Sequence, residues 1–233
     1  MRKFRLITAT MLLIVSLLTL SVACDDKNTE KKDAWQILKE EFEAEMSEKV
    51  TDEEFTLMIE DAADADNYRM KSSQTFEDGR RVTLFYDRCG DREKRVQMTS
   101  YPEGIEVVEY CYQYKDGDSY YNLTSLDEIR WEKKLIESEI LISLKENYYL
   151  ELLQAIKLYH DNDDLTDIDY VGWNEKGKGY LIETGVYSNV VKFKDGRVSL
   201  GTYDDNGLTD LQEVSVIYDV GKVPEIKLPE IAE

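Results

Sequence analysis

His160 is the only histidine in the chain, and Cys24, Cys89 and Cys111 are the only cysteines. A nucleophilic triad or dyad needs an imidazole within hydrogen-bonding reach of its hydroxyl or thiol. His160 instead stands at the end of a helical stretch beside Asp161 and Asp163, where an imidazole caps free carbonyls. One histidine and widely separated cysteines give no zinc spacing, and neither a nucleophile elbow nor a phosphate-binding loop occurs. Carboxylates are so abundant that pairing two of them as acid and base would be arbitrary. One segment comes near a metal motif. Residues 202–213, TYDDNGLTDLQE, place Asp204, Asn206, Gly207, Asp210 and Glu213 at five positions of a calcium loop. Thr202 occupies the first position and both flanks read as strands, so the segment is read as a hairpin loop in which Asn206-Gly207 supplies positive φ. The chain is therefore expected to be no enzyme, with no cofactor and no metal.

Cys89 and Cys111 lie on the second and fourth of a series of strands. The intervening strand puts their backbones beyond disulfide reach, and a bridge is not expected. Asn122-Leu123-Thr124 matches a glycosylation sequon without further meaning here.

The remaining cysteine follows a different pattern. Arg2, Lys3 and Arg5 precede an uncharged run from Leu6 to Ala23, the basic and apolar regions of a secretory signal. The run is long enough to be an uncleaved helical anchor. Its last residues, Leu20-Ser21-Val22-Ala23-Cys24, resemble a bacterial lipobox, with Ser21 standing where leucine is usual. That resemblance implies cleavage before Cys24 and a diacylglycerol on its thiol, so residues 1–23 are a lipoprotein signal peptide. Residues 24–33 then form a polar tether, spanning at most about 30 Å. The implied location is the extracytoplasmic face of the cell membrane.

A formal charge of −20 argues against a nucleic-acid partner, which demands a basic footprint, and against electrostatic docking on anionic lipid. Removing the signal takes away three cations and leaves the protein more acidic.

Beyond the tether, residues 34–66 read as helix, with Trp35, Leu38, Phe42 and Met46 at three- and four-residue steps. Thr51-Asp52-Glu53-Glu54 marks a second helix start. From Asn67 the period becomes two. Strands are expected at 69–76, 81–87, 95–101, 105–114 and 119–123, separated by glycine-bearing turns. In the fourth, Tyr110, Tyr112 and Tyr114 face one way, and Val107, Glu109, Cys111 and Gln113 the other. Residues 125–160 return to helical spacing, with the stripe Leu141, Leu144, Tyr148, Leu152, Ile156 and Tyr159. Five more strands follow at 169–173, 179–184, 186–194, 197–203 and 212–219, and then the tail VPEIKLPEIAE.

This order, with the closing segment EVSVIYDVGKVPEIKLP, resembles the LolA-like superfamily of lipoprotein-localisation factors over residues 51–230. The resemblance implies an α+β fold in one domain, residues 34–233. A curved antiparallel half-barrel of about ten strands would carry N-terminal and central helices packed on it. It also implies an apolar cavity for a lipid or acyl chain. The residues expected to line it are Leu144, Tyr148, Leu152 and Ile156 from the helix and Leu84 and Tyr86 from a strand. The alternative is a non-catalytic envelope module with a filled core and an acidic partner-binding surface.

Overall fold

The computed structural model describes residues 33–51, 53–54, 56–58, 66–136, 154, 156–157, 170–184, 187–205 and 207–231. Helix α1 spans Ala34–Ala44. Asp33 and Gln36 form a reciprocal capping box, Gln36 N–H donating to the Asp33 carboxylate at 2.8 Å and Asp33 N–H to Gln36 Oε1 at 3.1 Å, which satisfies two of the helix's orphan donors. Trp35, Leu38 and Phe42 are its buried face. The helix is shorter than its sequence period suggests. At Glu45 the backbone turns extended, and Ser47 and Glu48 donate their N–H groups to Lys178 and Phe193 carbonyls. Met46 is consequently exposed and lies outside the helix. Helical turns resume at Glu53. There Thr51 N–H donates to Glu54 Oε2 at 2.7 Å and Glu54 N–H returns to Thr51 Oγ1 at 3.3 Å, the second start that the sequence marks.

Most of the other described residues form one antiparallel sheet of eleven strands. The strands are β1 (Asn67–Thr75), β2 (Arg81–Cys89), β3 (Arg92–Ser100), β4 (Glu106–Asp116), β5 (Ser119–Ser125), β6 (Glu132–Ile136), β7 (Tyr170–Asn174), β8 (Gly179–Thr184), β9 (Tyr187–Lys194), β10 (Arg197–Tyr203) and β11 (Leu211–Tyr218). Their order is β6-β5-β4-β3-β2-β1-β11-β10-β9-β8-β7. The sheet is open, and residues 137–169 carry the chain from its β6 edge to its β7 edge. The expected count of about ten strands is thus one short. The extra strand is β6, within the stretch read as helix from residue 125. The apolar stripe begins only at Leu141, and Glu132-Lys133-Lys134 is instead the charged, short edge strand with which sheets avoid edge-to-edge pairing. Helical residues in the expected central segment are described at Gln154, Ile156 and Lys157. Among the described residues no helix is long and apolar enough to cross a membrane.

Directly opposed residues share a face, so the register sorts the sheet into two. The first face carries Tyr68, Met70, Tyr86, Val171, Tyr180, Ile182, Val191, Phe193, Val198, Leu200 and Ile217, one buried cluster against Ile156, with Met58 and Val50 packed on it. The second face is covered in two places. Trp35 and Phe42 of α1 pack on Leu181, Val190, Tyr203, Leu211 and Val214. The tail packs Ile226 and Leu228 on Tyr112, Tyr114 and Leu123. Asn67 pins the tail through a pair of bonds to the Val223 backbone, 2.7 and 2.9 Å, and Arg92 donates to Ile226 O at 2.8 Å. Tyr112 and Tyr114 share this face, as the period of two implies. The opposite residues Cys111 and Gln113 are buried as well.

Candidate functional site

The first face is filled only in part. At its upper end, where β1 ends and β11 begins, lies a cleft of ≈ 780 Å³. Its floor comes from Met70 (β1), Leu84 (β2), Leu200 (β10) and Ile217 (β11), brought together by the pairings Met70↔Ile217, Ser72↔Leu84 and Leu200↔Ser215. Between these apolar residues stand Ser72 and Ser215, whose hydroxyls lie 2.9 Å apart. Both reach one oxygen of the Glu213 carboxylate, at 3.3 and 3.1 Å. Phe76, Glu77, Tyr187 and Asp204 form the mouth. The site therefore offers an apolar floor within polar walls, where Gln74, Thr75, Thr202 and Gln212 join the carboxylate–hydroxyl group, a lining suited to a molecule with both an apolar and a polar part.

Leu84 lines this cleft. Tyr86, two positions along the same face, sits deeper. Its hydroxyl donates to Glu93 Oε2 at 2.8 Å, both residues are buried, and its ring lies 5.5 Å from that of Tyr68. Burial, reinforced by nearby Tyr68 and Glu93, pushes the Tyr86 phenol far above its usual range, so it stays a neutral donor. Ile156 is fully buried in the packed cluster and does not line the cleft. Leu144, Tyr148, Leu152, His160 and Cys24 lie outside the described residues. Glu213 stands in the sequence reading only as a calcium-loop position. The cleft residues missing from that reading, Met70, Ser72, Leu200, Ser215 and Ile217, sit on strands far apart in the chain. Their only sequence signal is alternation along β1, β10 and β11.

The remaining candidates resolve as follows. Cys89 and Cys111 are free thiols. Cys111 pairs across β3 with Arg95, while Cys89 pairs with Arg92, three residues along that strand. The Cys111 thiol donates to Asn122 Oδ1 at 2.8 Å, and burial raises its pKa above the ordinary value. That same contact engages the sequon asparagine on β5. In the 202–213 loop, Asp205 is the organising carboxylate, accepting Thr209 N–H at 2.9 Å and Asp210 N–H at 3.3 Å. Among the described residues of this loop positive φ falls at Leu208 (52°) and not at Gly207, so Gly207 does not supply the turn conformation expected of it; Asn206 lies outside the described residues. No protein-family model matches this chain, and no match to it is found among curated proteins.

Proposed function

We propose that this is a lipoprotein anchored through Cys24 on the extracytoplasmic face of the cell membrane, and that it holds a lipid or other apolar molecule in the cleft between β1, β2, β10 and β11. The observation that carries this reading is the cleft's combination of size and lining. Its ≈ 780 Å³ lies within the range of about 300–1,000 Å³ usual for ligand sites, and its floor is made of four apolar side chains on adjacent strands. The lipobox at Cys24 and the resemblance to LolA-like lipid carriers support the same reading from the sequence, and the open antiparallel sheet suits it. A specific observation favours the second reading, an interaction module with a filled core: Tyr68, Tyr86, Ile156 and Ile182 close the lower part of the same face completely.

Native mass spectrometry of the full-length protein purified without added lipid separates the two. The expected result is a co-purified apolar molecule that is depleted in Ser72→Phe, where a ring enters the cleft from a half-buried position. Absence of any bound molecule from the wild type would favour the filled-core module.

A further inference from the structure

We infer that the cleft between β1, β2, β10 and β11 selects an amphiphile whose polar end is cationic, an ammonium or amidinium group, and rejects fatty acids and other anionic amphiphiles. This deepens the reading above and rests on the cleft being a ligand site, whether or not Cys24 carries a lipid. The lining holds three carboxylates, Glu213 beside the two serines and Glu77 and Asp204 at the mouth, and among its described residues no lysine, arginine or histidine. Lys71 stands on β1 between Met70 and Ser72, but alternation sends it to the opposite face. There it lines a separate pocket beside Phe42 of α1.

None of the three carboxylates is ion-paired among the described residues. Acids elsewhere on the domain are: Asp87 and Asp219 share Arg69, Glu45 holds Arg197, and Asp33 holds Arg81. Arg80, whose guanidinium lies 4.5 Å from the centre of the Phe76 ring at the cleft mouth, approaches Asp78 of its own turn at 3.7 Å. Glu213 is half-buried, and its charge meets only neutral dipoles. Ser72 and Ser215 reach Oε1 at 3.3 and 3.1 Å. Each hydroxyl carries one proton, and the 2.9 Å contact between the serines uses one of them. Oε2 accepts from no described residue.

A carboxylate taken out of water without a counter-charge is costly. An apolar chain laid on Met70, Leu84, Leu200 and Ile217 excludes water from Glu213, so the best occupant brings the compensating charge itself. An ammonium group donating to Oε2 does so through a charge-assisted hydrogen bond. A fatty-acid carboxylate in the same place would add a fourth negative charge to a cleft whose field already repels it. The acids are too dispersed for a metal ion instead: among the described residues no three acidic, histidine or cysteine side chains are grouped to hold one. Asp204 and Glu213, two positions of the calcium-like segment, thus serve the same cleft from the end of β10 and from β11.

The test is equilibrium dialysis of the full-length protein in nonionic detergent at about pH 7 against hexylamine, hexanol and hexanoic acid. These hold the chain constant and make the head a cation, a neutral hydroxyl and an anion. Binding is counted as the excess over Ser72→Phe, which blocks the cleft, in the same detergent. Hexylammonium should bind about ten-fold or more tighter than hexanol, and hexanoate more weakly than either. Glu213→Gln keeps the shape of the side chain and removes its charge. It should bring hexylammonium down to the level of hexanol while hexanol binding is retained, which also shows that the variant is folded. Equal binding of all three probes would overturn cation selection and leave the apolar cleft standing. Tightest binding of hexanoate would overturn it outright. Hexylammonium held equally by wild type and Ser72→Phe would assign it to the acidic surface at large, against the cleft. Binding of no probe would refute the cleft as a ligand site and cation selection with it.

Discussion

Lys192 departs far from the surface habit of a lysine. It is only 2% exposed, and its ammonium donates to Phe42 O at 2.6 Å and Glu45 O at 2.9 Å, 4.2 Å above the Phe42 ring. It thus supplies donors to carbonyls at the end of α1, where helices lack partners, while Lys178 serves Glu43 O. Desolvation, with the nearby Lys178 charge adding to it, lowers the Lys192 pKa to about 8. The sign of the linkage follows. The unfolded chain holds its proton up to about pH 10.4, so between roughly pH 8 and 10.4 the unfolded state binds more protons and stability rises with pH. The neutral amine still has donors for both carbonyls. Wild type should therefore gain about 2 kcal/mol relative to Lys192→Met between pH 7 and 9.5, read from urea unfolding at each pH. A difference that stays flat would mean the lysine is not desolvated as its burial implies.

At the scale of the element, the second face depends on how closely α1 approaches β10. A Cβ placed on Gly201 would run into the Phe42 ring and meet Leu211 Cδ1 at 3.1 Å, so the helix docks where one strand position has no side chain. Gly201→Ala should cost about 1–3 kcal/mol of stability by overpacking, and Phe42→Leu in that background should restore part of it, a coupling that a double-mutant cycle measures. Additive effects of the two changes would show that the helix shifts freely. Gly201 also marks the limit of what the sequence disclosed. The strands from Asn67 onward were readable because period-two alternation and glycine turns coincide there. β6 was not, because Glu132-Lys133-Lys134 has no apolar alternation and its role is to end the sheet. The sequence period overruns α1 because Met46 keeps the helical spacing after the backbone has been drawn extended by Lys178 and Phe193. In the cleft, Met70 and Ile217 meet only through the β1–β11 pairing, which no local pattern announces.

For the described domain as a whole, that same pairing is the seam. β1 runs outward through β2 to β6, β7 returns through β8 to β11, and the two runs join only where β1 meets β11, from Arg69↔Tyr218 to Gln74↔Glu213. The packed cluster crosses the seam, with Tyr68, Met70 and Tyr86 on one side and Val191, Phe193, Leu200 and Ile217 on the other. α1 and the tail reinforce the seam from outside. Asp33 beside α1 is paired with Arg81 of β2 while the helix packs on the β8–β11 run, and the tail leaves β11 to cover β4 and β5. Neither run could bury its face alone, so the domain should unfold as one unit. Trp131 reports on the β4–β5 side and Trp173 on the β7–β9 side, so single-tryptophan proteins retaining one or the other should give coincident urea transitions, matching circular dichroism. Because the seam joins residues more than a hundred positions apart, closure is entropically costly and refolding should be slow for the size, in the millisecond-to-second range typical of non-local β topologies. Separate transitions for Trp131 and Trp173 would show instead that the two runs are independent and that the cleft between them opens without unfolding either.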